Sequence, residues 1–408
     1  MAWSRRLAQD DGADQGHMTM AQEIRGSLPG TETLIDHLRR RRRRVPATCV
    51  LIAINLAVFL AMIGFGAGLW HSPNSVQLAW GASFGPATQD GQWWRLGTAM
   101  FIHFGILHLA MNLWALWDAG NFVERIYGSG RFVALYAASG LVGNVVSLAI
   151  QGNRAVSGGA SGAIFGLYGA LLIALWRERH FLHPREFAWL FWGAAGFSVA
   201  VVSFGFLVPG IDNAAHIGGL ATGALLGIAF HRPVRAANPT RLLTRLATVG
   251  VTAAVVIYCI ANLPAPRYLW SAETAAREEI DQFLRQEASI GEEWSALVAR
   301  GNQRELSFEE LATRLDTDIS TRYERSFDAL SRLPVNPEIP SAAVIRLLRG
   351  YADIRREESH VLAEGLRSGD PSRIERAREL RKEAQEIARQ LNPAGRLGNG
   401  RAAGGGQR

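Results

Sequence analysis

The sequence predicts an all-α protein: a polytopic bundle of membrane helices followed by a soluble helical C-terminal region. Of the 408 residues, 48% are apolar, and most of these lie between about Val45 and Leu263 in long stretches with little charge. A membrane-spanning helix needs about 20 mostly apolar residues, which these stretches provide. From Arg267 onwards the chain is dense in arginine and glutamate, a composition typical of solvated helices.

Seven stretches are long and apolar enough to be candidate transmembrane helices. They are Ala47–Leu69, Ile106–Val123, Phe132–Ile150, Ser161–Trp176, Phe187–Val208, Ala214–Phe230 and Leu246–Leu263. We therefore divide the chain into a polar cytoplasmic N-terminal tail (1–44), a seven-helix transmembrane domain (45–263), a charged soluble helical region (264–392) and a disordered tail (393–408).

The distribution of arginine predicts how these helices are oriented. Cytoplasmic loops carry an excess of Lys and Arg, and the arginines flank alternate ends of the seven stretches. We expect an integral protein of the cell (inner) membrane, with its N-terminus cytoplasmic and its C-terminal region extracytoplasmic. The cytoplasmic groups are Arg39–Arg44; Arg125 and Arg131; Arg177, Arg179 and Arg185; and Arg232, Arg235, Arg241 and Arg245.

The net charge of +7 does not point to nucleic acid as a partner. The run of six arginines, Arg39–Arg44, directly precedes the first apolar stretch. In that position arginines set topology and contact lipid headgroups. We expect the lipid bilayer, and no nucleic acid, to be the partner of this charge.

Four polar residues lie near the start of three of the predicted membrane helices. Ser161 opens the fourth helix, His216 lies just inside the sixth, and His108 and Asn112 lie early in the second. These three helices run in the same direction, so their first turns lie at the same face of the membrane. Polar groups are costly in hydrocarbon and are usually functional there. We therefore expect the four side chains to form one site.

Glycine spacing indicates that the fourth and sixth helices are in contact. Gly162 and Gly166 are four residues apart, as are Gly219, Gly223 and Gly227. Small residues at this spacing let helix backbones approach closely. The alternative is that the glycines serve packing alone and that Ser161 is one more small residue.

Serine and histidine in one site permit nucleophilic catalysis. A serine hydroxyl becomes a nucleophile when a base removes its proton, and a neutral imidazole can act as that base. Burial disfavours the imidazolium cation, so we expect His216 to be neutral. The Ser161 backbone N–H, His108 and Asn112 can supply hydrogen bonds to an oxyanion. Asp212 either orients His216 or caps the sixth helix; we expect a Ser–His dyad.

These motifs resemble those of the rhomboid intramembrane serine proteases. The similarity covers about a third of the chain, in an ordered set of short motifs. They are Trp94-Arg95, the segment from His103 to Asn112, Glu124-Arg125, Gly159-Ala160-Ser161-Gly162 and Ala215-His216-Ile217-Gly218-Gly219.

The resemblance implies a six-helix rhomboid core plus one C-terminal transmembrane helix, and a serine endopeptidase that cleaves transmembrane segments of membrane proteins. It implies that Ser161 is the nucleophile, that His216 is the base, and that His108 and Asn112 stabilise the oxyanion. Phe165 falls where the family has an aromatic residue that packs on the catalytic histidine; some members have tyrosine there. No cofactor and no metal are expected.

Two other functions remain compatible with the sequence. The chain can be a non-catalytic membrane protein that binds or escorts transmembrane clients. A transporter with a polar site at the midplane is disfavoured by the near absence of carboxylates in the membrane helices and by the lack of visible repeats. The sequence predicts neither a client nor an oligomeric state.

The region from 267 to 392 is predicted to form helices separated by prolines. Ser307 and Glu310 fit a capping box, and Asp370 before Pro371 fits an N-cap followed by a first-turn proline. We expect a modest core of Trp294, Tyr323, Phe327 and Leu347. Its charged faces are solvated helix surface or, alternatively, a partner-binding coil.

Overall fold

A computed structural model describes residues 33–152, 154–231, 241–333 and 336–391. Within these ranges all regular secondary structure is helical, with one isolated bridge between Ser83 and Ser157, so the predicted all-α fold is confirmed. The first 32 residues of the expected N-terminal tail, the loop arginines Arg232 and Arg235, Pro334 and the tail 393–408 lie outside the described residues.

The chain forms two compact units, 1–265 and 266–408. The helices of the first unit are α1 (Leu34–Arg41), α2 (Pro46–Gly64), α3 (Asn74–Ala79), α4 (Gly85–Gln89), α5 (Arg95–Thr98), α6 (Ile106–Tyr127), α7 (Ser129–Gln151), α8 (Ser161–Glu178), α9 (Pro184–Leu207), α10 (Asn213–Phe230) and α11 (Leu242–Ala261).

All seven predicted membrane segments are helices in the structure: α2 and α6 to α11. Five of them (α2, α7, α9, α10 and α11) are long and apolar enough to cross a membrane. A sixth span arises if Arg95–Phe101 and α6, which meet at an angle of 92°, are counted together. Helix α8 is not in this set, so length and composition alone support five or six crossings rather than the expected seven.

Helix α8 is the most enclosed of the seven helices at the predicted membrane segments, and it packs closely along α10. A Cβ on Gly219 would overlap the carbonyl oxygen of Gly162, and a Cβ on Gly223 would overlap that of Gly166. The predicted contact between these two helices is therefore confirmed. Because their backbones touch, the first turns of α8 and α10 are held side by side.

A buried carboxylate fixes the start of α2 to the end of α6. Glu124 accepts hydrogen bonds from the backbone N–H of Ala47 at 3.1 Å and of Thr48 at 2.8 Å. The hydroxyls of Thr48 and Ser129 donate to it at 2.8 and 2.6 Å. The first N–H groups of a helix lack acceptors within that helix, and Glu124 is the acceptor for two of them in α2.

Helix α1 lies within the predicted N-terminal tail (1–44). Leu34 and Leu38 are buried in the bundle core. Thr33 caps the helix by accepting from the N–H of Asp36, and Glu186 of α9 accepts from the N–H of Leu34 at 2.6 Å. The end of the N-terminal segment is thus an amphipathic helix that is part of the bundle.

The second unit consists of α12 (Trp270–Asn302), α13 (Phe308–Arg314), a π-helical turn (Leu315–Ser320), α14 (Thr321–Arg332), α15 (Ala342–Ser368) and α16 (Pro371–Leu391). The capping box of Ser307 and Glu310 is confirmed, as is the helix that begins at Pro371, with Asp370 accepting from the N–H of Ser372.

The core of the second unit matches most of the expected residues. Tyr323 is fully buried, Trp294 is largely buried, and Phe327 packs at the edge of an apolar cluster. The exception is Leu347, which is half-buried, while its neighbour Leu348 is 1% exposed. The expected core position is therefore wrong by one residue.

Candidate active site

Ser161 is the first residue of α8, directly after a glycine-containing turn. Gly159 has φ +140°, a conformation that side-chain-bearing residues rarely adopt, and its N–H donates to the carbonyl of Ala99 at 2.8 Å. The N–H of Ser157 and that of Ser83 each donate to the other's carbonyl at 2.8 Å. The turn is thus held by the loop between α2 and α6, which fixes the position of Ser161.

His216 lies in the first turn of α10 and is buried. Its Nε2 is 2.8 Å from Ser161 Oγ, a distance at which the serine hydroxyl donates to a neutral imidazole. The close packing of α8 on α10 therefore brings the two predicted residues together. Nδ1 of His216 is buried and has no hydrogen-bond partner among the described residues.

Phe165, one turn after Ser161, packs face to face on the imidazole of His216. The ring centroids are 4.4 Å apart and the interplanar angle is 4°. Phe165 is itself buried, so its ring has little freedom to move. The stacking restricts rotation of the imidazole, whose one hydrogen bond to a described residue is the one with Ser161 Oγ.

His108 approaches the same point from α6. Its Nδ1 accepts from the backbone N–H of Phe104 at 3.4 Å, which places the proton of the neutral ring on Nε2. A Cβ added to Gly159 would lie 3.1 Å from His108 Nε2 and 3.6 Å from Ser161 Oγ. The missing side chain therefore leaves a space that is bordered by the N–H of His108 and by the hydroxyl of Ser161.

Asn112 lies one turn further along α6 and is also buried. Its Nδ2 donates to the carbonyl of His108 at 2.8 Å, which uses one of its two N–H groups. The structure thus places His108 and Asn112 on one helix face, with a second N–H of Asn112 left for another acceptor.

Asp212 makes no hydrogen bond to the imidazole of His216. Its Oδ1 accepts from the N–H of Ala215 at 3.0 Å and so caps α10. Its Oδ2 accepts from the hydroxyls of Ser147, on α7, and Ser157, in the turn before Ser161, each at 2.5 Å. One carboxylate thus joins the start of the histidine helix to the serine turn.

The roles of Ser147 and Ser157 are not evident from the sequence. The only signal for Asp212 is its position at the predicted start of α10, which indicates a cap. That two hydroxyls from other elements converge on the same carboxylate follows from the tertiary packing of α7 and α10.

Comparisons with known proteins give this geometry a family context. A model of the Rhomboid domain matches residues 90–233, a range that contains Ser161, His216, His108, Asn112, Phe165 and Asp212. The putative rhomboid protease YdcA of Bacillus subtilis is 32% identical over 187 residues, which are 45% of this chain and 88% of YdcA. The chain belongs to the rhomboid family.

Two further relatives match this rhomboid over different shares of their own length. Rhomboid protease AarA of Providencia stuartii is 31% identical over 206 residues, 46% of this chain and 73% of AarA. Rhomboid protease GluP of Bacillus subtilis is 32% identical over 313 residues, 75% of this chain but 57% of GluP. The chain thus spans little more than half the length of GluP. The comparisons confirm the family resemblance predicted from the sequence motifs.

Proposed function

We propose that this rhomboid is a serine endopeptidase that cleaves transmembrane segments of membrane proteins through a Ser161–His216 dyad. The single observation that carries the proposal is the 2.8 Å contact between Ser161 Oγ and His216 Nε2 at the adjoining starts of two membrane helices. The names of YdcA, AarA and GluP as rhomboid proteases support the same reaction type.

In the proposed reaction, Ser161 Oγ attacks the carbonyl carbon of the scissile peptide bond while its proton passes to His216 Nε2. The resulting oxyanion accepts hydrogen bonds from His108 Nε2 and the Ser161 backbone N–H, with Asn112 as a third donor. His216 then gives the proton to the leaving amine, and water releases the acyl group by the same route. No cofactor or metal enters this sequence of steps.

The substrate must be a segment whose backbone can be reached. An intact helix hides its peptide bonds in its own hydrogen bonds, so the client must unwind at the cleavage point. We propose clients with a single membrane span, cleaved near the outer face, with small or helix-breaking residues at the cleavage point. The proposed location is the cell membrane, with α1 on the cytoplasmic side and the second unit outside.

The test is cleavage of a model single-span client by the purified full-length protein in liposomes. Ser161→Ala and His216→Ala should each abolish cleavage, since neither residue has a substitute in the site. Ser203→Ala and His180→Ala are matched controls, because both residues are exposed and lie outside the site. Undiminished cleavage by either dyad variant contradicts the proposal. A native protein that binds the client without cleaving it supports instead a client-binding role.

A further inference from the structure

The carboxyl group of Asp118 lies in the membrane bundle and has no part in the proposed chemistry. Asp118 lies near the middle of α6, twelve residues after Ile106 and nine before Tyr127, and it is exposed. At about 1.5 Å per residue, this position falls well inside a hydrocarbon layer of about 30 Å. An ionisable residue at such a depth is costly and usually serves a function.

The carboxyl group of Asp118 is only partly satisfied by the protein. The hydroxyl of Tyr168, on α8, donates to Oδ2 at 2.9 Å. Oδ1 accepts no hydrogen bond from any residue that the structure describes. A carboxylate accepts up to about four hydrogen bonds, so most of its capacity is left for another molecule.

Asp118 lies where α6 faces α9, with Tyr168 of α8 between the two helices. One turn before it, the ring of Trp114 meets that of Phe197 on α9 edge to face at 5.7 Å, and Phe197 also lies 4.9 Å from the ring of Tyr168. Only Ala194 and Ser198 of α9 are buried, so most of this helix faces away from the protein. We call the four residues Trp114, Asp118, Tyr168 and Phe197 the α6–α9 seam.

The seam continues to the candidate active site. Phe165, which stacks on His216, has its ring centroid 6.5 Å from that of Phe197. Tyr168 follows Ser161 by seven residues on α8, which corresponds to about 10 Å along the helix. A client segment that has its scissile bond at Ser161 and packs against the seam would therefore pass Asp118 as it crosses the membrane.

We infer that Asp118 determines specificity by binding a basic side chain in the transmembrane segment of the client. The inference rests on the proposed function, because it takes the client to be bound at Ser161. A carboxylate facing hydrocarbon is complementary to an ammonium or guanidinium group, and charge-assisted hydrogen bonds of this kind are the strong ones. Pairing also removes two uncompensated charges from the hydrocarbon at once.

The distance from Ser161 defines where the basic residue must lie in the client. If the client is helical beyond the cleavage point, about 10 Å corresponds to about seven residues. If it is extended, the same distance corresponds to about three residues. The basic residue is therefore expected about three to seven residues from the scissile bond, on the side that enters the membrane.

The experiment uses the full-length protein in phosphatidylcholine liposomes with two synthetic single-span clients. The clients differ by one residue six positions beyond the cleavage site, lysine in one and methionine in the other. We expect the native protein to cleave the lysine client with a kcat/KM about tenfold higher, and Asp118→Leu to cleave both clients equally. Moving the lysine along the client in single steps should reduce the preference outside the expected window.

Equal cleavage of the two clients by the native protein overturns the inference and leaves the proposed function intact. A preference for the lysine client that persists in Asp118→Leu also overturns the inference and leaves the proposed function intact. If Asp118→Leu does not fold, the binding of both clients is measured by fluorescence titration. The double variant Ser161→Ala/Asp118→Asn is then compared with the single variant Ser161→Ala. Loss of the lysine preference there supports the inference, and its retention contradicts it. Failure of the native protein to cleave either client rejects the proposed function itself.

Discussion

The aromatic ring of Phe165 lies parallel to the imidazole of His216, one turn along α8 from the serine with which that imidazole interacts. Since His216 Nδ1 has no hydrogen-bond partner in the part of the chain that the structure describes, the ring is oriented by stacking rather than by a carboxylate. In this site an apolar surface does the positioning for which many serine hydrolases use an aspartate.

Replacing Phe165 should therefore reduce turnover more than substrate binding. Stacked aromatic pairs contribute about 0.5–1.5 kcal/mol beyond their buried area, so Phe165→Ala should lower kcat by about tenfold, with KM little changed. Phe165→Tyr keeps the ring and should retain most of the activity. Kinetics with a model client in liposomes check both values. An unchanged kcat in Phe165→Ala would show that stacking does not orient the base.

The carboxylate of Asp212 is expected to hold the serine turn in place. Asp212→Ala removes the acceptor for Ser147, Ser157 and the Ala215 N–H, and buried donors left unpaired cost about 1–3 kcal/mol each. We expect a lower unfolding temperature and lower activity. Ser157→Ala, which removes one donor, should cause a smaller loss. Native activity together with an unchanged unfolding temperature in Asp212→Ala would contradict this role.

Gly159 is predicted to tolerate no side chain. Alanine there is strained at φ +140°, and its Cβ would lie 3.0 Å from Cε1 of His108 and fill the space beside Ser161 Oγ. Gly159→Ala should therefore abolish cleavage while the protein still inserts and folds. Gly250→Ala is the matched control, because a Cβ on that helical glycine meets nothing within 4 Å. Cleavage by Gly159→Ala at the native rate would contradict the assignment of this space to the substrate.

Much of the fold could be predicted because membrane helices are defined by simple constraints. The length of each apolar stretch predicts a helix, and the spacing of Gly162, Gly219 and Gly223 predicts which two helices touch. Together these place Ser161 beside His216. They do so because the polar residues lie at the same end of helices that run in the same direction.

The features that were missed depend on tertiary partners or on the exact phase of a helix. Leu34 and Leu38 precede a run of arginines in the sequence. Helix α1 belongs to the bundle because these two side chains pack in its core. The partners of Asp212 come from elements distant in sequence. Leu347 and Leu348 are adjacent, and one step around a helix turns a side chain by about 100°. Composition alone cannot decide which of the two is buried.

The contact of α8 with α10 leads to a further prediction for stability. Gly223→Ala places a Cβ into the carbonyl of Gly166, and neither backbone can move without displacing the other helix. We expect a loss of about 1–3 kcal/mol, seen as a lower unfolding temperature in detergent. Gly196→Ala on α9 is the control, since nothing lies within 4 Å of its added Cβ. Equal stability of the two variants would contradict the close contact.

The buried carboxyl group of Glu287 is expected to make the stability of the second unit depend on pH. Its Oε1 accepts from the hydroxyl of Tyr351 at 2.5 Å, while its Oε2 is buried and has no hydrogen-bond partner within 241–333 and 336–391 or the other described residues. Burial raises the pKa of Glu287, although Tyr351 and Arg355 oppose the change. A carboxyl with a raised pKa in the folded state contributes its stability below the unfolded pKa of about 4.3. That stability is lost as the pH rises through the folded pKa.

Glu287→Gln should therefore stabilise the second unit at pH 8, by on the order of 1 kcal/mol, and leave it unchanged at pH 4. The amide resembles the protonated carboxyl and has no charge to desolvate at high pH. Pulse proteolysis of the full-length protein at increasing temperature measures the loss of the 270–391 fragment at each pH. Glu278→Gln, at an exposed position on the same helix, should have no effect at either pH. If Glu287→Gln instead destabilises the unit at pH 8, the ionised carboxylate is favourably paired with Arg355, and the direction of the pH dependence is reversed.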